Sequence, residues 1–142
     1  TLSQRLGANG DFAAAYVVAH EVGHHVQDEL GILEKTTAIR QQSSADEANR
    51  ISVMVELQAD CFSGVWARYA AEKLGTLEQG DIQEAVNAAA QIGDDTLQRN
   101  AGQRPVPDSF THGTSEQRQR WLATGYKAGT IQACDTFAAG DL

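Results

Sequence analysis

The chain has 142 residues, which is enough to bury a hydrophobic core, with 11 basic and 19 acidic side chains. Its net charge of −8 argues against nucleic acid or anionic lipid as a partner. The sequence has no apolar run long enough to cross a bilayer, and its first residues do not follow a signal-peptide pattern.

The first predicted element is a helix over residues 12–30. Asp11 is a suitable N-cap, no proline interrupts the segment, and Gly31 stands where a glycine would end the helix. Because a glycine inside a helix costs about 1 kcal/mol relative to alanine, Gly23 predicts a close neighbour that needs its space. Helical spacing predicts one apolar stripe, formed by Phe12, Tyr16, Ala19, Gly23, Val26 and Leu30.

This helix carries the segment HEVGH at residues 20–24. His20 and His24 lie one turn apart on one face, so both imidazoles can reach a single metal ion. Glu21 then lies beside the metal, in the position of a general base that takes a proton from water. The alternative is a pair of ordinary core or surface histidines. His25 points about 100° away, and we expect it to be structural or exposed.

The polar residues 34–43, rich in Gln, Thr and Ser, predict a mobile linker. A second helix is predicted after it, with Ser44 and Glu47 as a capping box, a periodic pattern to about Leu74, and Gly75 as the stop. Its expected buried stripe consists of Ile51, Val55, Phe62, Val65, Trp66 and Tyr69.

Glu56 and Asp60 share a different face of this second helix. Catalytic zinc keeps three protein ligands, and Glu56 is the candidate for the third. Asp60, one turn further on, is the candidate acceptor for the outer nitrogen of a ligand histidine, with His20 preferred. The alternative is a solvated acidic face. Zinc is inferred from the ligand types, and cobalt or manganese suits the same donors.

Further helices are predicted over residues 82–92, 95–100 and 114–126, with a loop over residues 101–113. Trp121, Leu122 and Tyr126 are expected on the inward side of the last one. No alternating strand pattern and no internal repeat occurs in the sequence. The chain is therefore expected to be mainly α, a helical bundle packed around the helix that carries HEVGH.

His112 lies in the predicted loop, just before a helix that Thr114 or Ser115 would cap. A tetrahedral intermediate needs a donor for its developing negative charge, and His112 is a candidate for that role. The alternative is a loop histidine that bonds to the start of the helix. Three residues that follow His112 in the chain are weaker candidates for the same role: Arg118, Arg120 and Tyr126.

Three segments resemble the bacterial neutral zinc metallopeptidase family, a gluzincin-type group with HExxH and ExxxD motifs. They are AYVVAHEVGHHVQ at residues 15–27, ELQADCFSGVWA at 56–67 and DSFTHGTSEQRQRW at 108–121, which together spread over most of the chain. The resemblance implies a zinc-dependent peptidase with one Zn²⁺ ion and peptide or protein substrates. It implies His20, His24 and Glu56 as metal ligands, Glu21 as the catalytic base and a zincin-like helical bundle.

Members of this family carry a membrane-anchoring segment and a β-forming stretch ahead of this region. The resemblance therefore implies that residues 1–142 are a single catalytic domain from a longer, membrane-anchored, extracytoplasmic protein, with the upstream sheet region absent. Two buried, unpaired cysteines are the normal state in a cytosolic protein. Because the anchored members face the extracytoplasmic side, a disulfide between Cys61 and Cys134 is expected instead.

A second class of function is a metal-binding assembly or interaction module without turnover. Glu21 discriminates between the two classes, because a purely structural zinc site has no need for a base and closes its fourth position with protein. The sequence contains no obvious fourth ligand, which favours catalysis.

Overall fold

The computed structural model describes residues 11–75, 77 and 80–142. These residues are mainly helical and contain no β-strand, which confirms the predicted fold class. Among the helices of this part of the chain, none combines the length and hydropathy needed to span a bilayer. The α-helices are α1 (Asp11–Glu29), α2 (Ile32–Gln41), α3 (Ala45–Tyr69), α4 (Asp81–Gln91), α5 (Asp94–Asn100) and α6 (Ser115–Ala128).

The predicted ends of the two long helices are close to those observed. Gly31 follows α1 with a φ of 75°, and Gly75 ends the segment after α3 with a φ of 60°, both in the left-handed region that favours glycine. The Ser44 side chain accepts a hydrogen bond from the Glu47 backbone N–H at 3.3 Å, as an N-cap should. A π-helical turn, Ala70–Leu74, continues α3 to the predicted stop. The predicted cap at Asp11 lies outside the described side chains.

The prediction of a mobile linker over residues 34–43 was wrong, because Ile32–Gln41 forms helix α2. Glu34 in its first turn and Arg40 in its last turn complement the helix dipole. Arg40 also donates a hydrogen bond from Nη1 to the Ser52 hydroxyl of α3 at 2.9 Å. Since α2 is held against α3 partly by polar groups, its composition resembles that of a linker.

Helices approach one another closely where glycines face a neighbouring backbone. A Cβ on Gly23 of α1 would lie 3.0 Å from the Ala59 carbonyl oxygen of α3, which confirms the close neighbour predicted for this glycine. A Cβ on Gly64 of α3 would collide with the α6 backbone, and one on Gly125 of α6 would collide with the backbone of Cys61. Helix α3 is therefore packed tightly between α1 and α6.

Two hydrophobic clusters surround α3. The first lies between α1, α3, α4 and α6 and includes the fully buried ring of Tyr16. The second lies between α3, α6 and the carboxyl-terminal segment and includes Cys61 and Cys134, which form the expected disulfide. Within the predicted α6 face, Trp121 and Leu122 are buried and Tyr126 is half-buried.

The carboxyl-terminal segment is bonded to the helices at several points. The disulfide joins α3 to the 3-10 turn Ile131–Cys134. The buried Thr136 hydroxyl donates to the Met54 carbonyl oxygen at 2.6 Å. The Trp121 indole N–H donates to the Leu142 carbonyl oxygen at 3.1 Å. These bonds hold the carboxyl-terminal segment against α3 and α6.

Reduction of the disulfide is expected to lower the free energy of unfolding by about 4 kcal/mol, because the cross-link no longer restricts the unfolded chain. The bond spans a sequence separation of 73 residues. Urea unfolding with and without a thiol reductant measures this difference. A Cys61→Ala/Cys134→Ala variant serves as the control and should not respond to the reductant. Equal unfolding midpoints for the oxidised and reduced protein would contradict the expectation.

The predicted buried stripe of α3 was wrong at two positions. Trp66 and Tyr69 are 40% and 55% exposed. Trp66 and Tyr69 line an open apolar groove of about 600 Å³ between α1 and α3, together with Val18 and Val22. Helical spacing identifies an apolar face, but it does not tell which part of that face a neighbouring element covers.

Candidate metal centre

His20, His24 and Glu56 converge at one point between α1 and α3. His20 Nε2 lies 2.9 Å from Glu56 Oε2, and His24 Nε2 lies 3.2 Å from the same oxygen. One ligand atom of each residue lies within 4.8 Å of those of the other two. Two imidazole nitrogens and one carboxylate oxygen are the donors that zinc prefers in catalytic sites. The chemistry of this donor set fits a single Zn²⁺ ion.

Burial, hydrogen bonds and neighbouring charges shift the pKa values of His20, His24 and Glu56. Burial lowers the pKa of His20, but hydrogen bonds to Asp60 and Glu56 outweigh burial and raise it to about 9. A hydrogen bond to Glu56 likewise raises the pKa of His24. Burial raises the pKa of Glu56, but the two imidazoles hold it well below its usual value. A cation that binds at these three groups would compete with protons for the same atoms.

Asp60 lies directly behind His20, as its spacing from Glu56 predicted. Its Oδ1 is 2.8 Å from His20 Nδ1, and its carboxylate is fully buried. The Tyr16 hydroxyl donates to the same oxygen at 2.5 Å. Arg118 donates from Nε to Oδ2 at 2.8 Å and from Nη2 to Oδ1 at 3.2 Å. Burial raises the pKa of Asp60, but the Arg118 charge and the His20 bond hold it below its usual value.

Arg118 lines the cavity at this centre, and its guanidinium is bound to Asp60. It was a weaker candidate for oxyanion donor, but its guanidinium is only 4% exposed and binds Asp60 in a two-pronged manner. Burial lowers the pKa of Arg118, but the Asp60 charge outweighs burial and raises it, so the guanidinium stays charged. Arg118 precedes Trp121 and Leu122 by one helical turn, and this shared inward face was the signal that could have identified it.

The other two weak candidates are engaged elsewhere. Arg120 is exposed, and its Nη1 lies 3.9 Å from Asp141 at the carboxyl terminus. The Arg68 guanidinium lies over the Tyr126 ring, with its Cζ 5.9 Å from the ring centroid. Arg68 also donates a hydrogen bond to the Tyr126 carbonyl oxygen. Neither side chain lines the cavity at the metal centre.

Sequence reasoning missed Gln27, which is fully buried behind the second histidine. Its Oε1 lies 2.8 Å from His24 Nδ1. A polar residue three positions after a candidate ligand, on the buried side of the same helix, was the available signal. His25, in contrast, is exposed as expected, with its Nε2 4.0 Å from Glu29.

Glu21 and His112 both line a cavity of about 420 Å³ that opens onto the metal centre. His112 belongs to the loop before α6, and its backbone N–H donates to Asp94 Oδ2 at 2.7 Å. Its Nδ1 lies 3.3 Å from Asp94 Oδ1, and this hydrogen bond raises the pKa of His112. The loop is thus bonded to Asp94, the first residue of α5.

A family model and several curated proteins match most of this sequence. A family model described as "Putative neutral zinc metallopeptidase" matches residues 1–137. The Escherichia coli (strain K12) protein named "Uncharacterized protein YpfJ" is 54% identical over 136 residues, which cover 96% of this chain and 47% of that protein. "Uncharacterized protein Rv2575" of Mycobacterium tuberculosis (strain ATCC 25618 / H37Rv) is 46% identical over 144 residues, which cover 95% of this chain and 47% of that protein. The chain thus spans about half the length of these curated relatives. No solved structure shows a significant match.

Proposed function

Because this chain belongs to the neutral zinc metallopeptidase family, we propose that it hydrolyses peptide bonds with one bound Zn²⁺ ion. The observation that carries the proposal is the convergence of His20, His24 and Glu56 at an open cavity that Glu21 also lines. A catalytic zinc site takes three protein ligands and leaves a position for water or substrate, whereas structural sites use four protein ligands. Among the described residues, this group contains three.

His20, His24 and Glu56 are the residues that would hold the metal. A bound Zn²⁺ supplies Lewis acidity, which polarises a substrate carbonyl and makes water a good nucleophile near neutral pH. Asp60 orients the His20 imidazole, since it accepts a hydrogen bond from the outer ring nitrogen. Arg118 and Tyr16 hold the Asp60 carboxylate in place with hydrogen bonds of their own.

Glu21 is the proposed general base. It takes a proton from the attacking water and transfers it to the leaving amine, as its position in the cavity wall permits. His112 is the proposed donor to the oxygen that becomes negative during the attack. Because Asp94 occupies the Nδ1 side of His112, Nε2 is the nitrogen that remains for this hydrogen bond. The substrate therefore lies between the HEVGH segment and the loop before α6.

Casein digestion is the direct test. The zinc-loaded chain is expected to cleave casein, an unstructured protein substrate, and a chelator such as 1,10-phenanthroline should abolish cleavage. Added Zn²⁺ should restore it, because the metal provides the Lewis acid. The rate of fragment release on a gel measures the effect. A folded chain that binds one Zn²⁺ per molecule and leaves casein intact would instead support a metal-binding module without turnover.

A further inference from the structure

A continuous chain of amide hydrogen bonds lies behind His24. Gln27 Oε1 is 2.8 Å from His24 Nδ1, and Gln27 Nε2 donates to the Val55 carbonyl oxygen at 2.8 Å and to Gln58 Oε1 at 2.9 Å. Gln58 Nε2 in turn donates to the Cys134 carbonyl oxygen at 3.0 Å. Gln27 is 0% exposed and Gln58 is 5% exposed. This series of hydrogen bonds therefore runs through the interior, from the candidate metal centre to the disulfide-bonded segment.

The backbone carbonyls of Val55 and Cys134 determine the direction of every hydrogen bond in this network. A carbonyl oxygen accepts hydrogen bonds and has no proton to donate. The amide nitrogen of Gln58 must therefore face Cys134, which turns its oxygen towards Gln27. The amide nitrogen of Gln27 must face Val55, which turns its oxygen towards His24. A flipped amide at either position would place two acceptors in contact inside the core, at a cost of about 1–3 kcal/mol.

The nitrogen that faces Gln27 must consequently carry a proton. An amide oxygen can only accept, so His24 Nδ1 is the donor in this bond. The remaining ring nitrogen, Nε2, is the one that faces Glu56 at 3.2 Å. The hydrogen bond at one ring nitrogen selects the nitrogen that binds metal. His24 is thus restricted to the orientation in which its Nε2 lone pair can point to the centre.

We propose that Gln27 is a positioning residue for metal binding, with Gln58 as its anchor, and this proposal rests on the zinc site proposed above. Gln27 does for His24 what Asp60 does for His20, but with a neutral acceptor in place of an ionised one. The only buried carboxylate behind the ligands in the described residues, Asp60, is neutralised by Arg118. A neutral amide behind His24 holds the second imidazole without a further buried charge, which would need its own cationic partner.

Zinc affinity tests the proposal. A Gln27→Met variant keeps the length of the side chain but removes the acceptor, so the proton on His24 is no longer held on Nδ1. We expect its zinc dissociation constant to rise by roughly 10- to 100-fold, the usual effect of losing a hydrogen-bond partner of a metal ligand. Gln58→Met should raise the constant less, because Val55 still orients the Gln27 amide. Competition with a chromophoric chelator measures each constant.

Thr136→Val is the matched control. Thr136 is 0% exposed and donates a hydrogen bond to the Met54 carbonyl oxygen of α3, so its loss destabilises the same region without touching His24. Its zinc affinity should equal that of the unmodified chain. The proposal is overturned if Gln27→Met binds zinc as tightly as Thr136→Val, or if Gln58→Met weakens binding more than Gln27→Met does.

The proton on His24 provides a second readout that requires neither zinc nor activity. In the metal-free protein, proton–nitrogen NMR should show an Nδ1 proton on His24 whose exchange is slowed, because its acceptor, Gln27, is 0% exposed. A His24 ring that carries its proton on Nε2 alone would overturn the proposal even in the unmodified chain. If this proton is present but the chain does not bind zinc, the proposed function fails while the structural assignment of Gln27 stands.

Discussion

A Glu21→Gln variant is expected to bind zinc normally and to lose peptidase activity by roughly 10²- to 10⁴-fold, the usual contribution of a general base. Glutamine matches glutamate in size but cannot accept a proton from water. Glu21 lines the cavity but is not one of the three converging donors, so the metal site itself should be unaffected. The casein rate and the zinc content of the same preparation, taken together, measure the two effects separately.

Glu29→Gln is the matched control for this substitution. Glu29 lies on the same helix, and its side chain is 69% exposed and contacts only His25, at 4.0 Å, among the ion pairs of the described residues. Its removal changes the charge of α1 by the same amount, so activity should stay within about two-fold of the unmodified chain, as for most surface substitutions. Full casein cleavage by Glu21→Gln would remove Glu21 from the role of base.

A Glu56→Ala variant is expected to lose most of its bound zinc and, with it, its peptidase activity. The substitution removes one of three donors and the only carboxylate among them. The two imidazoles that remain make an incomplete site, because a catalytic zinc ion needs three protein ligands. Elemental analysis after dialysis against a weak chelator measures the zinc content per chain.

Asp46→Ala serves as the control for Glu56→Ala. Asp46 is an exposed acid in the first turn of the same helix, so it tests whether a loss of negative charge on α3 is enough to release the metal. Its zinc content should match that of the unmodified chain. One zinc ion per molecule in Glu56→Ala would mean that Glu56 does not hold the metal.

The parts of the site that follow a helical period could be predicted from the sequence. His20 with His24, and Glu56 with Asp60, are pairs at a spacing of four residues, and a spacing of four places side chains on one face of a helix. The caps and glycines that bound α1 and α3 gave further local signals. For this reason the sequence alone predicts that His20, His24 and Glu56 converge and that Asp60 lies behind His20.

The contacts that depend on tertiary packing could not be predicted in this way. Arg118 is 58 positions from Asp60 in the chain, and Gln27 is 31 positions from Gln58. No local pattern tells that a buried arginine will meet a particular carboxylate, or that two glutamines will share a hydrogen bond. Helix α2 was missed for a related reason, because part of what holds it in place is the polar contact between Arg40 and Ser52.

Gly23 determines how closely α1 and α3 approach each other beside the candidate metal centre. Alanine would favour the helix at this position by about 1 kcal/mol, yet its methyl group would press on the Ala59 carbonyl oxygen from 3.0 Å. Gly23 directly precedes the candidate ligand His24. Ala59, which it contacts, lies about one helical turn after the candidate ligand Glu56. Without a side chain at position 23, α1 and α3 approach closely enough for His24 and Glu56 to meet across them.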